Sequence, residues 1–264
     1  PVVDFLQQDD SPWRLSTFDP QGRNTLHADL AMMHDFQDVR GYDSIFSAQY
    51  VDYMSWIEPQ GGLLYNRIAP FKQFSSLDSP LTDLLNVKYV MTEEEIPLPK
   101  YRQVYEDAAV RVYENLGVMP RAYTLPVTAT LRVPDRAAVG TAVLQRDPRF
   151  HVIVEEADEG WLGRALKALP QIGEPSPGEP AAQSIVRYTA NEVVVEVQVQ
   201  EPSWLVLTDS YAEGWTAGRI RSRSWRSPEW QGISGGCAST ARGWCGSSTR
   251  LTASKSGSSS PSWG

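Results

Sequence analysis

The sequence predicts an α+β fold: a mixed N-terminal α/β region, then an antiparallel, β-sandwich-like part truncated at its C-terminal end. Three observations lead there. The run "EVVVEVQV" (192–199) alternates valine with glutamate or glutamine over most of its length, as a half-buried antiparallel strand does. The stretch "SPLTDLLNVKYVMT" (79–92) joins a capped helix to a short apolar strand. At Gly218 the patterning stops, and arginine, serine and tryptophan follow without a period.

The elements follow in chain order. Residues 1–80 are rich in aromatics, aspartate and polar turns, with "SPWRLSTFDP" (11–20) and "VRGYDSIFSAQYVDYMSWI" (39–57) as the clearest pieces. In the second, Ile45, Tyr50, Tyr53, Met54 and Ile57 recur at near-helical intervals, which predicts a helix from Ser47 to Trp56 packed through that face. A helix over Pro80–Leu85 ends at Asn86, a residue type that tolerates the left-handed conformation, and "KYVMT" continues as strand. "YRQVYEDAAVRVYENLG" (101–117) reads as two strands joined by a turn at Glu106–Ala108, and "MPRAYTLPVTATLRV" (119–133) as further strand. A helix near 134–146 starts by Asp135 and stops at Asp147-Pro148. "FHVIVEEA" (150–157) is a strand, and three prolines make 174–183 a linker or long loop. "TAN" and "EPS" are turns flanking the strand at 192–199, and "WLVLTD" (204–209) is the returning strand. The organisation expected is a 1–125 α+β region, a 126–217 β-rich, sandwich-like region and an aberrant, disordered 218–264 tail.

Composition excludes several function classes. The 264 residues carry a formal charge of −8. The tail holds six Arg and one Lys against one Glu, so 17 basic and 31 acidic side chains leave residues 1–217 at −14. A nucleic-acid partner needs a concentrated basic surface and is not expected. No window reaches the roughly 18 consecutive apolar residues of a membrane helix. The chain opens on "PVVDFLQQDD", without Met or a signal-peptide pattern, as an excerpt of a longer protein or one whose start is lost would. Both cysteines, Cys237 and Cys245, lie in the tail, so the ordered part offers no disulfide framework and no zinc-type pair. Neither a P-loop nor a GxGxxG fingerprint occurs, and no cofactor is implied.

The tail has thirteen Ser, eight Gly and four Trp, and no Val, Phe, Tyr or Met. A disordered Ser/Gly linker is one reading, but linkers are poor in tryptophan. The other is a shifted reading frame in a GC-rich gene. Serine codons of the TCN type, read with TC as the last two bases, yield only Phe, Leu, Ile or Val. "GSSTRLTASKSGSSS" (246–260) can then become an apolar strand and a tyrosine-containing turn, for instance "FVYSPYSFKIGLVI". That reading predicts a β part lacking its last strands, with an open edge beside Trp204–Thr208 or a poorly packed tail over it.

"SPWRL", "VRGYDS", "LLNVKYVMT", "VYEDAAVRVYEN", "PRAYTLP" and "NEVVVEVQVQEPSWLVLTDSYAEGWTA" occur in this order. The series resembles the C-terminal extracytoplasmic region of YfhO-like bacterial membrane proteins, multi-spanning proteins similar to the GT-C class of glycosyltransferases. The similarity covers most of residues 1–217. In that family the "SYAEGW" type of turn leads into a Val-Asp-Gly turn, where this chain has Gly218-Arg219-Ile220. The resemblance implies a parent protein on the outer face of a bacterial plasma membrane, moving sugars from a lipid-linked donor onto cell-envelope polymers. The partners it implies are the membrane-embedded part of the same polypeptide and a cell-envelope polysaccharide or lipid-linked sugar. The catalytic acidic residue of that class lies in the membrane part, so no residue here inherits a catalytic role.

Among candidate sites, Arg14, Arg40, Tyr42 and Asp43 could grip sugar hydroxyls or a phosphate, because guanidinium forks suit oxyanions. The same residue types fit an internal Arg–Asp pair fixing a loop. Tyr211 and Trp215 could form a platform for a sugar ring, or plug the corner of the β part. His27 and His34, with Asp29 and Asp35 nearby, would suit zinc only if helical turns aligned them, and no metal site is predicted. The acidic clusters 92–97 and 154–160 lack a calcium-loop spacing and read as solvated loops. Ser210 has no nucleophile elbow. The rivals to an accessory domain are a stand-alone carbohydrate-binding module and a soluble glycan-processing enzyme, which would need carboxylates such as Asp43 and Glu114 to converge.

Overall fold

The computed structural model of the chain describes residues 1–41, 46–60, 68–156, 174–210, 215–219, 239–243 and 249–255. It divides into two compact units, Pro1–Arg121 and Ala122–Gly264. Helices and mostly antiparallel sheets make it an α+β fold, as the sequence predicts.

The first unit runs α1 (Val2–Leu6), β1 (Arg14–Thr17), a 3₁₀ helix (Ala28–His34), α2 (Ala48–Ile57), α3 (Phe74–Asp78), α4 (Pro80–Leu84), β2 (Val87–Thr92), β3 (Tyr101–Glu106) and β4 (Arg111–Asn115). α2 begins where a hydroxyl can cap it, with Ser47 Oγ accepting from the Tyr50 N–H at 3.2 Å. Tyr53, Met54 and Ile57 form its buried face. α4 is capped by Ser79 and opened by Pro80, and Asn86 takes the left-handed φ of 59° just beyond it. The chain turns between β3 and β4 because Asp107 Oδ1 accepts from the N–H groups of Ala109 and Val110.

The sheet order is β1-β2-β4-β3, with β1 and β2 parallel and the other pairs antiparallel. β1 would be a bare edge, but short segments close it on its outer side. Leu15 exchanges bonds with Gln37 and Val39, and Phe71 does the same with Thr17 and Asp19. On one side of the sheet Leu15, Tyr89, Met91 and Val112 pack with Leu6 and Trp13 in a single buried cluster.

The second unit contains β5 (Ala122–Pro126), a 3₁₀ turn (Val127–Ala129), β6 (Thr130–Val133), α5 (Arg136–Gln145), β7 (Val152–Glu155), β8 (Ala181–Ala182), β9 (Ser184–Tyr188), β10 (Glu192–Val197), β11 (Ser203–Leu207), β12 (Trp215–Arg219), β13 (Ser239–Gly243) and β14 (Thr249–Lys255). α5 starts at Asp135, whose Oδ1 accepts from the Ala138 N–H at 3.0 Å. It joins β6 to the parallel strand β7, a connection that needs such a crossover. Residues 119–133 do not form one strand. They break at Pro126, and Thr130 Oγ1 donates to the Val127 carbonyl at 2.6 Å to close the turn.

β10 and β11 correct a second expectation, because they do not form a hairpin. β10 lies between β14 and β9 in one sheet, and β11 lies between β13 and β5 in another. Both edges of each strand are occupied, so the "EPS" turn carries the chain from sheet to sheet. Val193, Val195 and Val197 of β10 nevertheless share one apolar cluster with Ala122, Leu205 and Leu207 of the other sheet. Tyr188 Oη also reaches the Asp209 carboxylate at 3.0 Å.

Two segments of the tail are strands, which corrects the expectation of irregular structure there. β13 pairs with β11, so the edge beside Trp204–Thr208 is not open, and β14 pairs with both β10 and β12. The rest of the 218–264 tail beyond Arg219 lies outside the described residues.

The proline-rich loop is tied down rather than loose. Ser176 N–H donates to Thr128 at 3.2 Å, and Gly178 N–H donates to Phe150 at 2.9 Å. A Cβ at Gly178 would lie 2.7 Å from Pro126 Cδ, closer than real Cβ atoms approach. Gly178→Ala should therefore lower stability by about 1–3 kcal/mol through overpacking. Urea unfolding measures it, and an unchanged midpoint would mean that the loop moves aside freely.

Candidate functional site

Arg14 and Arg40 both point inward to partners of their own chain. Arg14 Nη1 donates to the Leu85 carbonyl at 2.9 Å, tying β1 to the end of α4. Arg40 is 8 % exposed. Its Nη2 and Nε meet the two Asp38 oxygens at 2.5 and 3.0 Å, and its Nη1 donates to the Leu26 carbonyl at 3.0 Å. Burial pushes the Asp38 carboxyl up from its ordinary range, and the guanidinium works against that shift. A fork already filled by a carboxylate two residues away is a loop clamp, the internal-pair reading of this arginine. Tyr42, Asp43 and Tyr211 lie outside the described residues. Trp215 opens β12 and packs, partly buried, against the cluster of Val193, Val195 and Leu205, which is the corner-plug reading.

His27 caps the start of the 3₁₀ helix, and His34 is its last residue. At a rise of about 2.0 Å per residue, seven residues separate their backbones by roughly 14 Å, too far to share one zinc ion. Among the described residues no group of three or more His, Cys, Asp or Glu is placed to hold a metal. The 92–97 cluster is less solvated than its composition implies. Glu93 pairs with Arg23 at 3.2 Å and accepts from Thr25 Oγ1 at 3.4 Å. Of the 154–160 cluster, residues 157–160 lie outside the described residues. Glu114, the carboxylate that an enzyme reading needs, is held by Arg102 at 2.5 Å.

The chemically richest constellation is one that the sequence does not announce. Asp9 Oδ2 accepts from Lys88 Nζ at 2.5 Å and from Tyr89 Oη at 2.8 Å, while Oδ1 accepts from Ser11 Oγ at 2.6 Å. Lys88 Nζ also lies 3.3 Å from Ser11 Oγ, and Trp13 Nε1 donates to the Asp9 carbonyl at 3.0 Å. Serine, lysine and aspartate at these distances invite comparison with an activated nucleophile, which needs a base poised near neutral pH. The electrostatics argue otherwise. Burial raises the Asp9 carboxyl, but hydrogen bonds from Lys88, Ser11 and Tyr89 outweigh it and hold it down at about 2. So acidic a group is a poor proton acceptor. Burial and the neighbouring Asp9 push the Tyr89 phenol far up, so it stays a donor. The cluster therefore acts as a brace that fastens the α1–β1 connection to β2.

That brace has a pH signature. The folded Asp9 value lies below its ordinary 3.8, so its contribution is complete above about pH 4 and is lost as pH falls towards 2. Urea midpoints measured across that window should fall more steeply for the wild type than for Asp9→Asn. Identical slopes would remove Asp9 from the account. Its partial exposure keeps the effect well short of the full shift.

A second polar knot, around Asp83, Lys100 and Asn115, is buried in the first unit and equally unannounced. Asp83 is 0 % exposed, and its Oδ1 lies 2.8 Å from both Lys100 Nζ and Asn115 Nδ2. Among the described residues no helix is long and apolar enough to cross a membrane. No protein-family model matches the chain, and no curated protein or solved structure matches it either.

Proposed function

We propose that this chain is a non-catalytic extracytoplasmic domain of a polytopic membrane protein related to glycosyltransferases that use lipid-linked sugars. In this reading it serves cell-envelope glycosylation by bracing the membrane-embedded part or seating the polysaccharide acceptor. One observation supports the non-catalytic half: Arg14, Arg40, Lys88 and Lys100 each engage an oxygen of the same chain. The motif series "SPWRL" through "SYAEGWTA" supports the parent class by resemblance. The carbohydrate-binding alternative draws on Trp215, and the packing of that ring against the apolar cluster weighs against an open sugar platform.

The test is a transfer assay with the chain alone, a lipid-linked sugar donor and cell-envelope polysaccharide. No sugar is transferred under the accessory-domain reading. Steady transfer that scales with the chain's concentration overturns it.

A further inference from the structure

We propose that Met32 and Met33 form an oxidant-responsive thioether pair whose conversion to sulfoxides switches an apolar surface to a polar one. The protein has five methionines, and the structure sorts them sharply. Met32 and Met33 are 68 % and 77 % exposed, whereas Met54, Met91 and Met119 are 0 %, 5 % and 6 % exposed. The exposed pair lies in the 3₁₀ helix Ala28–His34, beside Leu30, which is also exposed. Ala28 and Ala31 supply the buried side of that helix, and Ala31 belongs to the cluster containing Trp13 and Phe36. The turn is thus anchored by small residues and presents its long apolar ones to water.

The substrate class is a two-electron oxidant such as hydrogen peroxide. The thioether sulfur attacks one peroxide oxygen and the O–O bond breaks. Sulfur is oxidised to the sulfoxide, and peroxide is reduced to water, with each methionine gaining one oxygen atom. Access governs the rate, because the peroxide must reach sulfur. Met91 sits in the core cluster, so its oxidation requires opening of the first unit. Sulfoxides at 32 and 33 enter no core and leave the fold intact, while Leu30 loses its apolar neighbours. Methionine sulfoxide reductases restore thioethers, which makes the change reversible.

The experiment treats the full chain with dilute hydrogen peroxide, maps oxygen addition by peptide mass spectrometry, and follows retention on a hydrophobic-interaction column. The expected result is one and then two added oxygens on the peptide carrying Met32 and Met33. Peptides carrying Met54, Met91 and Met119 stay unmodified until denaturant is added. Retention falls with the second oxygen, and thermal unfolding keeps its midpoint. The M32L/M33L variant should fold, keep its retention and no longer respond, and M32Q/M33Q should show the reduced retention without oxidant. Equal oxidation of all five methionines in the native chain overturns the proposal. So does a retention change that persists in M32L/M33L.

Discussion

Asp83→Ala is expected to lower stability by about 3–5 kcal/mol, the range for breaking a buried ion pair by removing one partner. The carboxylate sits in the short helix α4, fully shielded from water. Removing it leaves Lys100 with the carbonyls of Leu77 and Ser79, at 2.9 and 3.5 Å, and the Tyr101 ring at 5.8 Å, and deprives Asn115 Nδ2 of one of its two acceptors. Asn115 Oδ1 also holds the Gly117 N–H at 2.9 Å, so the damage should spread to the turn after β4. Urea unfolding of Asp83→Ala, and of the double variant with Lys100→Met, separates the causes. The double variant should recover part of the loss, because it no longer leaves an ammonium without its carboxylate. A single variant within about 1 kcal/mol of wild type, the net worth of an ordinary hydrogen bond, would show the knot to be well solvated.

Trp204→Ala should have a comparable effect on the second unit, about 3–5 kcal/mol for emptying a buried aromatic site. Trp204 is buried in β11, between β5 and β13, and its indole Nε1 donates to Thr130 Oγ1 at 2.7 Å. Thr130 in turn holds the turn that ends β5 through its bond to Val127. Trp204→Phe keeps most of the volume but drops the donor, and should cost about 1–2 kcal/mol. The ordering Ala well below Phe, and Phe below wild type, is the readout. A Phe variant equal to wild type would show that the indole N–H contributes nothing.

Local grammar was legible in the sequence and partner choice was not. Ser79-Pro80 and Asn86 marked both ends of α4, Asp135 marked the start of α5, and Asp107 marked the β3–β4 turn, because each such signal acts within a few residues. The alternation in "EVVVEVQV" announced a strand, yet the same period suits any neighbour. It could not say that β14 and β9, rather than β11, would flank β10. Nor could any local pattern reveal that Arg14 on β1 would pair in parallel with Val87 on β2. The candidate site divides the same way. The pairing of Arg40 with an aspartate was foreseeable as a residue type, but the sequence did not single out Asp38 as the partner. Asp9 with Lys88, and Asp83 with Lys100, were hidden because their partners lie far along the chain. An aspartate in the first turn of a short helix ordinarily faces water, so nothing marked Asp83 as buried.

The central proposal is that the chain belongs to a membrane-tethered, glycosyltransferase-related protein and that its reading frame slips near Gly218. The one measurement that tests this most directly is sequencing of the genomic locus through both ends of the coding region. The proposal predicts an in-frame upstream region encoding several apolar segments of roughly 18 or more residues. It also predicts a frame correction after Ala217 that replaces the Ser- and Arg-rich tail with apolar strands. A signal peptide directly ahead of Pro1, together with an uninterrupted frame through "GWTAGRIRS", would contradict it.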